Sequence, residues 1–197
     1  MHKIFKNCQI DYEKYIEIRK YAKNALIENE GNTCQKLGLV LEGEVIISTL
    51  AYSDKEYIIK YLHKNEHFGE VLLFSDNNKF LGDIISNGCK IGYIHKNDLF
   101  HLFKDKVFLN NYLKIISNEM ADSQLRIKLL SQKNIKDRIL FYLNLNYKKT
   151  NLKKLKINSK ESLALLLNIP RPSLSRELIH LKNEGIIDFD RNSITIL

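Results

Sequence analysis

The chain has 197 residues, of which 44% are hydrophobic and 27% charged, with a formal net charge of +8 and only two prolines. This composition excludes low-complexity and collagen-like chains and is sufficient for two modest domains that each bury a core. The first six residues lack the apolar region of a signal peptide, and no apolar run approaches the roughly 20 residues that span a bilayer. A cytoplasmic protein without a membrane partner is therefore expected.

Three cysteines, Cys8, Cys34 and Cys89, are odd in number and far apart in the chain. A disulfide framework requires paired cysteines, so this spacing predicts reduced thiols.

The segment from Gly31 to Gly92 has the pattern of a β domain. Seven of the eight glycines lie between Gly31 and Gly92 and separate short stretches rich in β-branched and aromatic residues. Alternation along Val45, Ile47, Thr49 and Ala51 predicts one arm of a hairpin, and the other arm is expected at 57–61 after a turn at 53–55.

Further strands are expected at three places, residues 37–41, 82–86 and 90–95. These strands are enough for a small antiparallel barrel or jelly roll, which would close most of its own edges. A helix is predicted before the strands, around residues 12–22.

A long helix is predicted after Asp105, preceded by a short helix that Asn97 and Asp98 cap and that ends at Phe103. The apolar residues of the long helix follow a 4-3 repeat, interrupted by the polar Ser123, and are Leu109, Leu113, Ile116, Met120, Ile127 and Leu130. The repeat predicts a coiled coil between two copies of the chain, and hence a homodimer. The alternative is that the stripe packs on its own β domain.

Positive charge is concentrated in the last third of the chain. From Asn134 to the end there are 12 Lys and Arg against 6 Asp and Glu, a net charge of +6, whereas residues 1–133 carry a net charge of +2. Such a distribution is typical of a surface that binds a polyanion. An amphipathic helix over 136–143 and a basic linker over 146–156 are expected to open this region.

Residues 159–181 predict two helices separated by a three-residue break. Ser159 is a suitable N-cap for the first helix, and Asn168 tolerates the left-handed backbone of a tight helix exit. Pro170 and Pro172 suit the start of the second helix, where a missing N–H leaves no hydrogen bond unmade. The alternative interpretation is a pair of amphipathic helices packed on another element, with solvated arginines.

The second helix has two faces at about 100° per residue. The core side has Leu174, Leu178 and Leu181, and Arg176 and His180 lie roughly opposite. Arginine can grip guanine O6 and N7 together, and a serine hydroxyl beside free amides at a helix start suits a phosphate. The expected DNA contacts are Arg171, Pro172, Ser173, Ser175, Arg176, His180 and Arg191.

The remaining residues predict a wing. Gly185 fits the left-handed position after a helix, and 186–189 and 193–197 flank a turn at 190–192. In identity and spacing, this C-terminal segment resembles the winged helix-turn-helix of the Crp/Fnr transcription regulators. The residues that resemble it are Ala164, Asn168, Arg171, Ser173, Leu174, Ser175, Arg176, Glu177, Leu178, Leu181, Gly185 and Ile187.

A second resemblance lies in the β domain. Gly31, residues 39–45 and the run His67-Phe68-Gly69-Glu70 are similar to the cyclic-nucleotide-binding β roll of the same family. The two resemblances together imply an α+β fold. It consists of an antiparallel β-roll effector domain over 1–104, a dimerisation helix over 105–133 and a winged helix-turn-helix over 134–197.

One departure from the family concerns the effector. Members that bind cyclic AMP hold its phosphate with an arginine and a small hydroxyl residue about ten positions after the Gly-Glu pair. Those positions here are Phe80 and Leu81, so the resemblance implies an effector pocket that does not bind cyclic AMP. The expected pocket residues are Phe68, Gly69, Glu70, Phe80 and Leu81. Glu70 either binds a hydroxylated ligand or is a turn carboxylate retained with the fold.

Other cofactors are weighed on the same basis. Family members with an iron–sulfur cluster use a tight N-terminal cysteine group, which Cys8 and Cys34 do not form. Haem stays open as an alternative because several histidines lie in or beside the effector domain, and Cys89 is a weaker candidate as a thiol sensor. Those histidines are His63, His67, His95 and His101. No metal site is expected.

The sequence therefore predicts a homodimeric, sequence-specific regulator that binds double-stranded DNA at an inverted-repeat operator, with RNA polymerase as a candidate partner. No phosphate-binding loop, nucleophile elbow or zinc spacing occurs, so no enzymatic activity is expected. One alternative is a family member that senses haem or another small molecule. The other is a signalling module that binds a ligand without DNA, against which Arg171 and Arg176 count.

Overall fold

The computed structural model describes residues 2–50 and 56–197. They divide into two compact units, Met1–Asn118 and Glu119–Leu197. The first unit begins with two short 3-10 helices, Lys3–Phe5 and Glu13–Tyr15. It continues with β1 (Glu17–Glu28), β2 (Lys36–Leu50), β3 (Glu56–His63), β4 (His67–Phe68), β5 (Asp83–His95), α1 (Lys96–Leu102) and the start of α2 (Lys106–Leu130).

The second unit contains the end of α2 and a small mixed fold. Its elements are α3 (Ile135–Thr150), β6 (Lys154–Lys156), α4 (Lys160–Leu167), α5 (Arg171–Asn183), β7 (Ile187–Phe189) and β8 (Ser193–Ile196). Among the described residues, no helix is both long enough and apolar enough to cross a membrane.

The first unit is built on an antiparallel sheet with the order β1-β5-β2-β3, and β4 pairs with β2. The predicted antiparallel β domain is therefore confirmed. The expected strands at 37–41 and 45–51 are both within β2 up to Leu50. Those at 82–86 and 90–95 are both within β5, except that β5 begins at Asp83. Ala51 and the expected hairpin turn at 53–55 lie outside the described residues.

Four of the seven glycines that divide the sequence pattern lie inside the long strands β2 and β5 rather than between strands. The pairing of β2 with β5 shifts register between Gly43 and Val45, and Gly43 has a φ of +76°. A Cβ placed on Gly43 would lie 1.9 Å from the carbonyl oxygen of Gly88, so only glycine fits this approach of two strands.

The predicted helix over 12–22 is wrong, because most of this segment is strand β1. β1 pairs with β5 from Glu17 opposite Tyr93 to Glu28 opposite Ile84. This pairing joins residues more than 50 positions apart, and it overrides a local pattern that fits a helix.

The N-terminal segment is attached to the start of α2 by Asp105. Its Oδ1 accepts hydrogen bonds from the N–H groups of Val107 (2.8 Å) and Phe108 (3.2 Å), as an N-cap does. Its Oδ2 accepts from Gln9 (2.9 Å) and Ile10 (3.0 Å). Desolvation raises the pKa of Asp105, but these donors outweigh it and leave the pKa below its ordinary value.

The short helix α1 begins at least two residues earlier than the sequence indicates. Its N-cap is His95, and Asp98 lies in the first turn rather than at the cap, so the predicted capping by Asn97 and Asp98 is wrong. Strand β5 ends at His95, and this strand end therefore decides where the helix starts.

In the second unit, helices α3, α4 and α5 pack with a three-stranded sheet of order β6-β8-β7. Helix α3 continues to Thr150, so the basic linker predicted from residue 146 is helical in its first part. Lys148 and Lys149 lie in its last turn, where a helix favours cations, and Asn151 ends it in a left-handed conformation with φ 56°.

Two histidines are buried in the first unit, with exposed fractions of 2% for His2 and 7% for His67. Burial lowers the pKa of His2 to about 4 and that of His67 to about 3. Both rings are therefore neutral in the folded chain at neutral pH.

We expect stability to fall as the pH is lowered below about 6.5. The unfolded chain takes up protons on these histidines near pH 6.5, whereas the folded chain does so only near pH 4 and 3. Each histidine should reduce the free energy of unfolding by roughly 2 kcal/mol at about pH 4.5. In urea unfolding, acidification should lower the free energy of unfolding of His67→Gln by less than that of wild type. His101→Gln, a change at an exposed histidine, is the control. Identical losses in His67→Gln and wild type would contradict this origin.

Candidate functional site

The break between α4 and α5 has the predicted local geometry. The Ser159 hydroxyl accepts from the Ser162 N–H, and the Ser162 hydroxyl accepts from the Ser159 N–H, each at 3.0 Å. This reciprocal pair is a capping box at the start of α4. Asn168 ends α4 in the left-handed region with φ 51° and ψ 52°, and Pro170 is the N-cap of α5.

Arg138 of α3 holds this break in place. One guanidinium nitrogen donates to the carbonyl oxygens of Leu167 (3.1 Å) and Asn168 (3.2 Å). The other terminal nitrogen donates to the carbonyl oxygen of Leu130 (3.1 Å). The cation therefore lies against the C-terminal ends of both α4 and α2, where helix carbonyls favour positive charge. The sequence offered no periodic signal for this residue.

Helix α5 has the two faces that its sequence predicts. Leu174, Leu178 and Leu181 are fully buried. On the opposite side, Arg171, Pro172, Arg176 and His180 are exposed, and Ser173 and Ser175 are partly buried. The exposed side also includes Ile179, with 53% of its surface accessible. Sequence analysis missed Ile179, although helical spacing places this apolar residue on the same side of α5 as Arg176 and His180.

The two arginines of α5 have different surroundings. Arg171 forms an ion pair with Glu161 of α4, with 2.6 Å between Nε and Oε1. The pKa of Glu161 is lowered by its own backbone N–H and by Arg171, so the carboxylate is ionised at neutral pH. Within residues 2–50 and 56–197, the one side-chain hydrogen bond of Arg176 is to the Ser173 hydroxyl, at 3.5 Å. Its guanidinium is therefore the more accessible of the two.

One expected feature of Ser173 is wrong. The Ser173 N–H donates to the carbonyl oxygen of Pro170 at 3.0 Å, and so does the N–H of Leu174. These amides are therefore occupied, because the tight turn after Pro170 supplies an acceptor within the helix start. The Ser173 hydroxyl is the group of this residue that remains for a ligand.

The wing follows α5 through a left-handed glycine. Gly185 has a φ of +72°, and the N–H of Ile186 donates to Leu181 at 3.1 Å, which closes the helix end. In the wing, Phe189 lies between two ammonium groups, 4.5 Å from Lys160 and 5.6 Å from Lys182. These contacts hold the strand near the start of α4.

The wing turn is internally hydrogen bonded. Asp190 accepts from the Asn192 N–H and from the Ser193 hydroxyl, each at 2.7 Å. Arg191 is exposed at the tip of this turn. An open cleft of about 720 Å³ lies between the wing turn, the start of α4 and Arg171. Its cationic lining residues are Lys160, Arg171 and Arg191.

The comparisons with known proteins cover both units. The family model of the cyclic nucleotide-binding domain matches residues 18–106. The anaerobic regulatory protein of Bacillus subtilis (strain 168) is 24% identical over 188 residues, which is 91% of this chain and 79% of that protein. The catabolite activator protein of Thermus thermophilus is 21% identical with a TM-score of 0.58, over 99% of this chain and 93% of that one. CprK in complex with OCPA is 18% identical with a TM-score of 0.72, over 98% and 89%.

The chain resembles the Crp/Fnr regulators. Residues 18–106 match the cyclic nucleotide-binding domain, and the likeness to the solved structures extends over the β roll and the winged helix-turn-helix alike. The fold class inferred from the sequence is therefore confirmed.

The residues expected around an effector lie mainly in the core. Phe68 and Phe80 have exposed fractions of 4% and 6%, and Gly69 is buried with a φ of +86°. Glu70 is partly buried, and its carbonyl accepts from the Tyr112 hydroxyl at 3.2 Å. Leu81 differs from the others, with 71% of its surface exposed. Phe80 is therefore part of the buried core of the first unit.

The four candidate haem histidines have separate surroundings. His63 lies 3.1 Å from Glu44, and His95 lies 3.7 Å from Glu17, with more than half of each side chain exposed. His101 stacks on Tyr15, and His67 is buried. Each exposed histidine of β3 and β5 thus has its own carboxylate neighbour at the surface.

The helix stripe expected at the subunit seam divides between two environments. Leu113, Met120 and Ile127 have exposed fractions of 54%, 62% and 65%. Ile116 is partly buried and packs against the core of the first unit. Leu109 and Leu130 are also partly buried. Three of the six expected residues therefore form an exposed apolar stripe along α2.

Proposed function

We propose that this chain is a Crp/Fnr regulator, a cytoplasmic homodimer that reads an inverted-repeat DNA operator with α5 and its wing. The observation that carries the proposal is the outward face of α5, which presents two arginines from a helix whose other face is fully buried. A helix held by its core and exposing charged side chains fits the major groove. RNA polymerase is a candidate partner for a protein of this kind.

Within that helix, we assign base reading to Arg176. Its guanidinium can donate two hydrogen bonds to guanine O6 and N7. Ile179 lies next to it on the exposed side and offers apolar contact to a thymine methyl group. Some family members have a glutamate at the position of Pro172, and its carboxylate accepts a hydrogen bond from cytosine. Pro172 has no side chain that can accept one. The preferred half-site should therefore differ from theirs.

We assign phosphate contacts to the Ser173 hydroxyl and to Arg191 at the wing tip. Arg191 lines the cleft at the wing turn, and Ser173 lies in the first turn of α5. Phosphate contacts position a protein on DNA without reading sequence. Arg171, Ser175 and His180 complete the proposed contact set.

Substitution should separate base reading from phosphate binding. Arg176→Ala is expected to cost about 1 to 3 kcal/mol on the selected operator and to relax the preference at one base pair. Arg191→Ala and Ser173→Ala should weaken all sequences to a similar degree. For Arg191→Ala, the slope of log K against log salt should also fall by about 0.9.

The measurement is a fluorescence titration against a site library selected from random duplexes, repeated at several salt concentrations. The selected operator should be an inverted repeat whose half-sites lie about 10 to 10.5 base pairs apart. Equal losses on operator and random DNA for Arg176→Ala would contradict its role in base reading.

The dimer should depend on the exposed stripe of α2. Placing a charge at Met120 would bury two like charges at a twofold seam, so Met120→Glu is expected to give monomers. Asn118→Glu adds the same charge on the opposite side of the helix and is the matched control. Sedimentation equilibrium distinguishes the two states. A Met120→Glu variant that stays dimeric would place the subunit contact elsewhere.

We propose that the effector pocket does not bind cyclic AMP. Phe80 has no charge, and a buried phosphate without a cation costs several kcal/mol. A regulator of the same family that senses another small molecule, including haem, is the second candidate function. The four histidines and the buried Phe80 give no specific support to haem.

Calorimetry with cyclic AMP is expected to give no saturable heat, because the pocket has no arginine at the position of Phe80. A family member that binds cyclic AMP, measured in the same buffer, serves as the positive control. Binding in the micromolar range would show that another group neutralises the phosphate.

A further inference from the structure

A second cavity lies in the first unit, apart from the buried residues Phe68, Gly69 and Phe80. It has a volume of about 630 Å³ and lies between the N-terminal segment and the sheet. Its apolar and aromatic walls are formed by Phe5, Tyr12, Ile16, Ile18 and Leu41, and six polar or charged residues line the rest. A cavity of about 300 to 1,000 Å³ that combines apolar walls with converging polar groups fits a small-molecule site.

The polar groups around this cavity fall into two sets. His2, Lys90 and Glu42 have partners within the protein. The His2 ring accepts from the Ile4 N–H (3.3 Å) and contacts the Glu66 carbonyl (3.2 Å), and Lys90 lies 3.4 Å from Glu42. These groups are satisfied without a ligand.

Lys64, Asn65 and Glu13 form the second set. Within residues 2–50 and 56–197, no side-chain hydrogen bond or ion pair is found for any of them. Asn65 is held by its backbone, since its N–H donates to Val40 at 2.9 Å and its φ is 72°. The turn therefore presents Lys64 and Asn65 in a fixed position. The cavity thus offers one cation, one anion and one amide above apolar walls.

We propose that this cavity binds a free amino acid with a large apolar side chain. Lys64 would pair with the carboxylate of the ligand, Glu13 with its ammonium group, and Asn65 would add a hydrogen bond. Phe5 and Tyr12, whose rings stack at a centroid distance of 4.0 Å, would contact the side chain. A zwitterion uses both unpaired charges, whereas a simple anion or cation would leave one unused.

Residues beside this cavity also contact the long helix α2. Phe5 packs against Phe108 of α2 with ring centroids 5.6 Å apart. The Asn111 side chain of α2 donates to the carbonyls of Ile4 (2.9 Å) and Lys6 (3.0 Å). One wall of the cavity is therefore attached to the first turns of α2, so a bound ligand would restrain the segment that α2 holds. The proposal stands without reference to DNA binding.

Isothermal titration calorimetry of the full chain tests the proposal with four probes. L-phenylalanine is expected to bind with one-to-one stoichiometry. L-phenylalaninamide lacks the carboxylate, 3-phenylpropionate lacks the amine and glycine lacks the apolar body. Each of these three should bind at least about tenfold more weakly. The first two each lose a charged contact, and glycine loses the apolar contact with Phe5 and Tyr12.

Two variants locate the site. Lys64→Met should lower the affinity for L-phenylalanine about tenfold, so that this variant binds L-phenylalanine and L-phenylalaninamide equally well. Glu13→Gln should bind L-phenylalanine and 3-phenylpropionate with the same affinity. Lys20→Met and Asp11→Asn remove the same charges from exposed residues outside the cavity and should bind like wild type. The absence of saturable binding of L-phenylalanine at millimolar concentration would overturn the proposal. Wild-type binding by both cavity variants, or equal binding of L-phenylalanine and 3-phenylpropionate, would overturn it as well.

Discussion

The winged helix-turn-helix depends on one guanidinium group. Arg138 binds the carbonyl oxygens of Leu167 and Asn168, where α4 ends, and that of Leu130, where α2 ends. Helix ends leave carbonyls without intrahelical partners, and a cation that satisfies three of them replaces two separate caps. The position of the break before α5 is thereby tied to the end of the long helix. Any displacement of that helix end would act on Leu167 and Asn168, where α4 ends.

A carboxylate has the corresponding role in the first unit. Asp105 caps α2 with one oxygen and holds Gln9 and Ile10 with the other. The N-terminal segment is thereby placed against the sheet, where it forms one wall of the second cavity. Arg138 and Asp105 both use a charged side chain to bind backbone groups. Such charge-assisted hydrogen bonds are stronger than neutral ones and fix the geometry of the segments that they join.

The β roll owes its stability to residues away from its turns. Gly69 has the left-handed backbone of a turn, Glu70 follows it, and Phe80 is buried. Strand pairing and core residues such as Leu39 and Ile91, which are fully buried, hold the fold together. Function belongs to the site rather than to the fold, so ligand specificity can change while the fold is kept.

The sequence by itself determined the features that depend on neighbours within a few residues. Ser159, Asn168 and Gly185 act through caps and left-handed turns, and the leucines of α5 follow one helical period, so these elements were predictable. The tertiary structure alone decided the features that join distant residues. Strand β1 exists because it pairs with β5, and the contact of Arg171 with Glu161 and the role of Arg138 both depend on how helices meet. Their physical reason is shared: backbone pairing and charge contacts between remote segments add free energy that no local pattern contains.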